Sequence, residues 1–326
     1  MTISPSPTAK LALVAVGGNA LIRSKQEESL HQQHDAVSQT AEHVVNLISA
    51  GWRVVLTHGN GPQVGFIMRR SEIAEGEVPI VPLDYAVGDT QGAIGFMFQN
   101  ALGNVLRKRG LKTSVVALVT QTLVSADDAA FNAPDKPIGT LMAQAQAERL
   151  AAKLGWRIAE DSGRGWRRVV ASPKPLRVVE SPIIRQLLDQ DVLVVACGGG
   201  GIAVVEHADG SLHSVEAVID KDRASALLAI ELNADLLLIP TGVERVAIHF
   251  GTPQQRWLDK LALEEAEQLL REGQFGVGSM GPKVEAMLTY LRQRPGGSGL
   301  ITTPEAIGRA LQGETGTHFL SPRSLP

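Results

Sequence analysis

Short apolar runs that end in glycine alternate along this chain with segments whose apolar residues return every three or four positions. Leu11–Val16 runs into Gly17-Gly18-Asn19, Arg53–Thr57 into His58-Gly59-Asn60-Gly61, and Asp191–Cys197 into Gly198-Gly199-Gly200-Gly201. A short, unbroken apolar run reads as a strand buried on both faces, the form strands take in parallel sheets. Thr113–Leu118, Ala234–Ile239, Val246–Phe250 and Gly299–Thr302 read as further strands. Val37, Ala41, Val44, Val45 and Ile48 fall on one helical face, and Gly51 stops the run. Gly92–Arg109, Leu141–Leu154, Asp222–Leu232, Leu263–Arg271, Lys283–Arg294 and Pro304–Leu311 also read as helices. Strands alternating with helices predict crossover units. The expected class is therefore α/β, with a mainly parallel sheet covered on both faces and ligands at the carboxyl ends of its strands. Residues 127–174 break this rhythm with a Pro-rich patch, a helix and the basic stretch Gly163–Arg168. They read as an insertion, a lid, and not as another crossover.

Composition narrows the class. The 326 residues carry 31 Lys+Arg against 34 Asp+Glu, a net charge of −3 that argues against a dedicated nucleic-acid binder. At 44% hydrophobic residues there is ample material for a large core. The single cysteine, Cys197, excludes a disulfide framework or a multi-cysteine metal centre, and its place at the end of an apolar strand reads as a buried hydrophobe. The eight histidines show no metal-ligand spacing, so no protein-held metal is expected. No apolar stretch approaches the roughly 20 residues of a membrane helix. Met1–Lys10 is Ser/Pro-rich without an apolar core, which reads as a tail and not a secretory signal. The expectation is a soluble protein of a reducing compartment, the cytoplasm.

The chemistry gathers at the glycines. Four in series after a strand let backbone N–H groups approach an anion without a Cβ in the way; a loose turn is the plainer alternative, but seldom needs four. Gly17-Gly18-Asn19 and Gly59-Asn60-Gly61-Pro62 each end a strand and precede a helix-like segment, so three such loops together suggest one shared anion site. Gly276–Gly281 matches G-x-G-x-x-G in form but follows a helix, which rules out a dinucleotide fingerprint and leaves a loop that delivers Lys283 to a helix start. Asp220-Lys221-Asp222 sets acid, base and acid at a helix start, behind the apolar approach Ala217-Val218-Ile219. Asp135-Lys136-Pro137-Ile138-Gly139 holds a lysine between rigid turn residues. Arg164–Arg177 has five basic side chains and no acid, and reads as a solvated lid face.

Taken in order, these segments resemble carbamate kinase, a branch of the amino-acid kinase superfamily. The resemblance rests on Val16–Ala20, His58–Gly65, Lys136–Gly139, Gly163–Arg167, Cys197 with its four glycines, Glu216–Asp222 and Gly278–Lys283, and it runs from about Lys10 to about Thr317. It implies a three-layer αβα sandwich of about eight strands, spanning 11–318 between tails at 1–10 and 319–326, with 127–174 closing over the substrate. It also implies a homodimer, with no nucleic-acid or membrane partner, that uses ATP or ADP with Mg²⁺ and moves a phosphoryl group reversibly between ATP and carbamate, giving ADP and carbamoyl phosphate. Carried over by position, Gly17, Gly18, Asn19, Gly59, Asn60, Gly61, Gly199 and Gly200 hold carbamate and the travelling phosphoryl. Lys136, Lys221 and Lys283 neutralise the phosphoryl oxygens, and Asp222 orients the lysines. Asp220, Thr241, Gly242, Gly278, Ser279 and Met280 flank the nucleotide. Phe96 and Asp135 depart from the family's usual residues. Two alternatives stand beside this reading. A sibling kinase acting on another small acyl acceptor has no reason to keep Lys136–Gly139, and a non-catalytic nucleotide sensor would tolerate loss of one of the three lysines.

Overall fold

Eight strands form the central sheet of the computed structural model, which describes residues 9–18, 21–22, 28–161, 163–276 and 278–320. In spatial order they are Lys260–Ala262, Thr317–Leu320, Ser298–Thr302, Leu236–Pro240, Leu11–Val16, Arg53–His58, Val192–Ala196 and Ser114–Ala117. Ser298–Thr302 and Thr317–Leu320 pair antiparallel, and every other neighbouring pair is parallel. Leu11–Val16 lies near the middle, with Leu13 opposite Leu237 on one side and Val55 on the other.

All six residues of that strand are buried because its two faces feed two different core layers. Leu11, Leu13 and Ala15 pack with Ala226, Val284 and Met287 of the helices Lys221–Glu231 and Met280–Gln293. Ala12, Val14 and Val16 pack with Val37, Ala41, Phe98 and Leu102 of the helices Leu30–Ser49 and Leu83–Lys108. A strand covered on both sides has no polar face to show, which is why it reads as a continuous apolar run.

Several expected elements shift. The helix expected from Gly92 begins at Leu83, which is wholly buried, with Ala86 and Val87 extending the same stripe. Leu141 belongs to a strand, Lys136–Met142, and the helix starts only at Gln144. Val246–Phe250 shortens to Val246–Ile248, because His249 turns the chain at φ 52°; it pairs with Arg256–Leu258 in a two-stranded ribbon outside the central sheet. The expected tail from 319 is also corrected. The last strand continues to Leu320, and Phe319 is buried against the core. Residues 1–8 of the expected N-terminal tail lie outside the described residues.

Within 127–174, the strands Lys136–Met142, Trp166–Val170 and Arg157–Glu160 make a separate antiparallel sheet, accompanied by the helix Gln144–Leu154. Ile138 and Val170 seat this sheet on Val64, Met68 and Val87. Lys136 is therefore not in a turn but is the first residue of a strand, opposite Val170. The basic stretch is less solvated than expected. Arg168 is buried, pairs with Glu216 at 3.0 Å and lies over the Trp156 ring, while Arg164 and Arg167 both pair with Asp161. A further sheet of Leu212–Ser214, Ile202–Glu206, Gln121–Val124 and Pro175–Val178 stands beside the helix Lys221–Glu231.

Candidate active site

Two glycine loops meet at the carboxyl ends of the adjacent strands Leu11–Val16 and Arg53–His58. The Gly59 N–H donates to the Val16 carbonyl at 3.0 Å, and a Cβ at Gly59 would stand 2.9 Å from the Gly18 nitrogen. Only glycine allows that approach. Asn19 lies outside the described residues. Asn60 is buried and donates through Nδ2 to Thr90 Oγ1 at 2.8 Å, while Gly61 opens the helix Gly61–Ile73 with proline in its first turn.

The run Gly198–Gly201 is buried, and side chains crowd it from outside. A Cβ at Gly199 (φ 66°) would fall 2.1 Å from Asn60 Nδ2, and one at Gly200 would fall 2.4 Å from the Ile219 carbonyl oxygen. The N–H groups of Gly200 and Gly201 are used within the turn, donating to the carbonyls of Cys197 and Gly198. These glycines thus let Asn60 and the approach to Asp220 close onto the strand end. Cys197 beneath them is buried, and burial pushes its thiol up to about 12, so it is an inert hydrophobe.

The charged centre is built on the helix Lys221–Glu231. Asp220 caps it, Oδ1 accepting from the N–H groups of Asp222 and Arg223, and this fixes where Lys221 and Asp222 leave the backbone. Asp222 Oδ1 accepts from Lys221 Nζ at 2.7 Å, and its Oδ2 accepts from Lys283 Nζ at 2.9 Å. Lys221 also donates to the Ala15 carbonyl at 2.9 Å. Burial pushes the Asp222 carboxyl up, but the two lysines outweigh it and bring it down to about 2. Burial likewise draws Lys221 below the usual ammonium range, opposed by Asp222. The result is one carboxylate holding two cations side by side. The third lysine is elsewhere: Lys136 Nζ contacts Asp220 Oδ2 at 3.2 Å.

Beside this centre lies a cavity of about 960 Å³. Gly17, Gly18, Lys221 and Lys283 line it at one end, and Thr241, Gly242, Gly278, Ser279 and Met280 line it as well. Gly59, Asn60, Gly61, Gly199, Gly200, Asp220 and Lys136 are not in its lining. Phe250 and Trp257 are, though sequence reasoning passed over them. They stand edge to face at 6.4 Å between ring centroids, and both are exposed. Aromatics are scarce in this chain, so two within eight positions were a usable signal. His58 was also passed over. It is buried against Phe98, and burial, with Lys221 nearby, brings its imidazole down to about 4 despite the contact with the Gly59 carbonyl. Among the described residues no group of three or more His, Cys, Asp or Glu is placed to hold a metal ion.

A site of this kind takes a polyanion: two paired cations and the Gly17-Gly18 turn line a cavity that also has aromatic walls. The amino acid kinase family model matches residues 10–298 of the chain. The carbamate kinase-like protein YahI of Escherichia coli is 48% identical over 95% of this chain and 99% of its own length. The carbamate kinase of Pyrococcus furiosus is 44% identical, again over 95% and 99%. Among solved structures, carbamate kinase from Giardia lamblia bound to AMP-PNP superposes with a TM-score of 0.90 at 39% identity, covering 97% of this chain and 99% of that one.

Proposed function

The chain belongs to the amino acid kinase family, among its carbamate kinases, and we propose that it moves a phosphoryl group reversibly between ATP and carbamate. A carbamate oxygen forms the new bond to the γ-phosphorus as the bond from that phosphorus to the bridging oxygen breaks. ADP leaves with the bridging electrons, and carbamoyl phosphate is the other product. The observation that carries this reading is the bridge of Asp222 to Lys221 and Lys283 at the end of the cavity lined by Gly17 and Gly18. Phosphoryl transfer asks little of a general base and much of placement and positive charge. Lys221 and Lys283 meet the charge that spreads over the equatorial oxygens, Asp222 keeps them parted and aimed, and the turns of Gly17, Gly18, Asn60 and Gly61 carry backbone N–H groups to the acceptor.

The nucleotide lies along the remainder of the cavity, by Thr241, Gly242 and Gly278–Met280, with its base toward Phe250 and Trp257. Asp220 and Asp222 are already engaged by lysines, so Mg²⁺ would be held chiefly by the nucleotide's phosphates and would share their charge. Residues 127–174 act as a lid that excludes water and brings Lys136 to the phosphoryl group. The working species is a cytoplasmic homodimer.

The deciding assay is formation of ATP from ADP and carbamoyl phosphate with Mg²⁺. ATP should appear, while acetylglutamate, aspartate and UMP in place of carbamate should be inert as acceptors. Turnover of any of those three would move the protein to a sibling activity. Lys221→Ala and Lys283→Ala should each lower kcat roughly 10²–10³-fold, the scale for losing one preorganised charge.

A further inference from the structure

The helices that present Lys221 and Lys283 meet again on their opposite faces. Residues two apart on a helix leave it about 200° apart, so Arg223 and Glu285 point away from the two lysines. There they form an ion pair of their own at 3.1 Å. The pair is thus clamped twice, by Asp222 on the cavity side and by Arg223–Glu285 behind.

That rear clamp is part of the wall of a second cavity, about 550 Å³, between the helices Lys221–Glu231, Leu263–Arg271 and Met280–Gln293. Its floor is apolar, made by Leu227, Ile230, Leu270 and Leu288. Four cations ring it, Lys174, Arg223, Arg271 and Arg292, against two carboxylates, Glu267 and Glu285. Glu267 is shared between Arg292 and, at 3.9 Å, Arg271, so one carboxylate serves two guanidinium groups. The Arg271 side chain is 72% exposed and able to take another anion. At the rim, Asp128 accepts from the Lys174 backbone N–H. The volume is in the range of small-molecule sites, and an apolar floor under surplus guanidinium groups complements one chemical class.

We propose that this groove is an effector site for a small organic anion, a carboxylate on an apolar body, that acts on Lys221 and Lys283 through the Arg223–Glu285 clamp. The apolar body covers the four aliphatic side chains, and the carboxylate competes with Glu285 for Arg223 while Arg271 supplies a second contact. Displacing Glu285 removes the ion pair between the helix Met280–Gln293 and the helix Lys221–Glu231 on the rear face, while Ala226, Leu228, Val284 and Met287 stay packed in the core, and the two lysines settle at a different spacing across Asp222. An effector that binds one spacing better than the other shifts the balance between them.

Phenylbutyrate is a suitable probe, with phenylbutanol as its uncharged counterpart. Calorimetric titration of the full chain should show one saturable site for phenylbutyrate and none for phenylbutanol. Arg271→Glu and Thr289→Trp, both exposed substitutions, reverse a charge and fill the groove; each should weaken binding at least tenfold with unchanged thermal unfolding. Bound phenylbutyrate should alter hydrogen exchange in the first turns of both helices in the parent protein and in neither variant. Only its effect on rate, expected to be at least twofold, rests on the phosphoryl-transfer reading; titration and exchange use no reaction. Equal binding of phenylbutanol, parent-like binding by both variants, or unchanged exchange at both helix starts would each overturn the proposal.

Discussion

Asp222 carries more of this site than its size suggests, because it is 5% exposed and is the carboxylate on which two ammonium groups close. Asp222→Asn keeps the shape but leaves Lys221 and Lys283 repelling one another in a buried place. Turnover should fall at least about 10²-fold, and stability by about 3 kcal/mol, the cost of breaking a buried pair; urea unfolding beside steady-state rates checks both. His58 gives the pH dependence. Its imidazole is brought from 6.5 down to about 4, so between those values the unfolded chain binds the proton and the folded one does not. The contribution is complete above pH 6.5 and is lost as pH falls toward 4. From pH 7.5 to 5 this group alone should cost about 2 kcal/mol of stability. His58→Gln should show a loss smaller by that amount, and an equal loss in both proteins would mean the imidazole is not held neutral by burial. At Gly199 the φ of 66° and the nearness of Asn60 act together. Gly199→Ala should destabilise by roughly 2–4 kcal/mol from backbone strain and overpacking, and adding Asn60→Ala should recover the packing part.

At the scale of elements, the small antiparallel sheet is tied to the body by separated ion pairs. Lys136 reaches Asp220 at 3.2 Å, Arg168 reaches Glu216 at 3.0 Å, and Lys153 reaches Glu75 at 2.7 Å. The Lys136 and Lys153 ties are partly exposed, individually weak and ready to exchange partners, which suits a segment that opens and closes, whereas Arg168 is buried. On the proposed function, the phosphoryl group of a bound substrate would offer Lys136 a stronger partner than Asp220. Lys136→Ala should therefore depress turnover of carbamoyl phosphate while ADP affinity stays nearly unchanged, and hydrogen exchange over 136–170 should slow only when carbamoyl phosphate and nucleotide are both present. A large loss of ADP binding in that variant, with unchanged exchange, would place the segment in the nucleotide pocket instead.

For the whole molecule, the edges of the central sheet matter. Ser114–Ala117 is an edge strand, and Phe96 and Val119 beside it are 65% and 57% exposed. Gln99 Oε1 accepts from the Ala117 N–H at 3.0 Å, and an edge strand with apolar neighbours still invites another strand. The homodimer is expected to form there. Sedimentation should give twice the 34.7 kDa chain mass, and Phe96→Glu combined with Val119→Lys should return single chains; a dimer indifferent to both changes would have to use another face.

What the chain reveals unaided is what is local. Leu11–Val16, Arg53–His58 and Val192–Ala196 are legible as strands because burial on both faces leaves a continuous apolar run, and the glycines that close the first of them line the cavity of the candidate site. The resemblance of the motifs carried the choice of the candidate lysines. The strands of the small sheet are not legible. Lys136–Met142 reads as a turn through Gly139 and as the start of a helix from Leu141, yet it is a strand at the edge of its sheet, where Pro137 costs no ladder bond, and Gly139 at φ 71° sits where its register shifts. Nor does sequence show why four glycines follow Cys197. Asn60 and Ile219 press on them, and neither is near in the chain. Lys283 meets Asp222 across 61 positions, and Lys136 meets Asp220 across 84. Hydrophobic period and turn chemistry act between neighbours along the chain, so sequence records them directly. Contacts over such spans exist only once the sheet has brought the strand ends together, and the tertiary structure alone decides them.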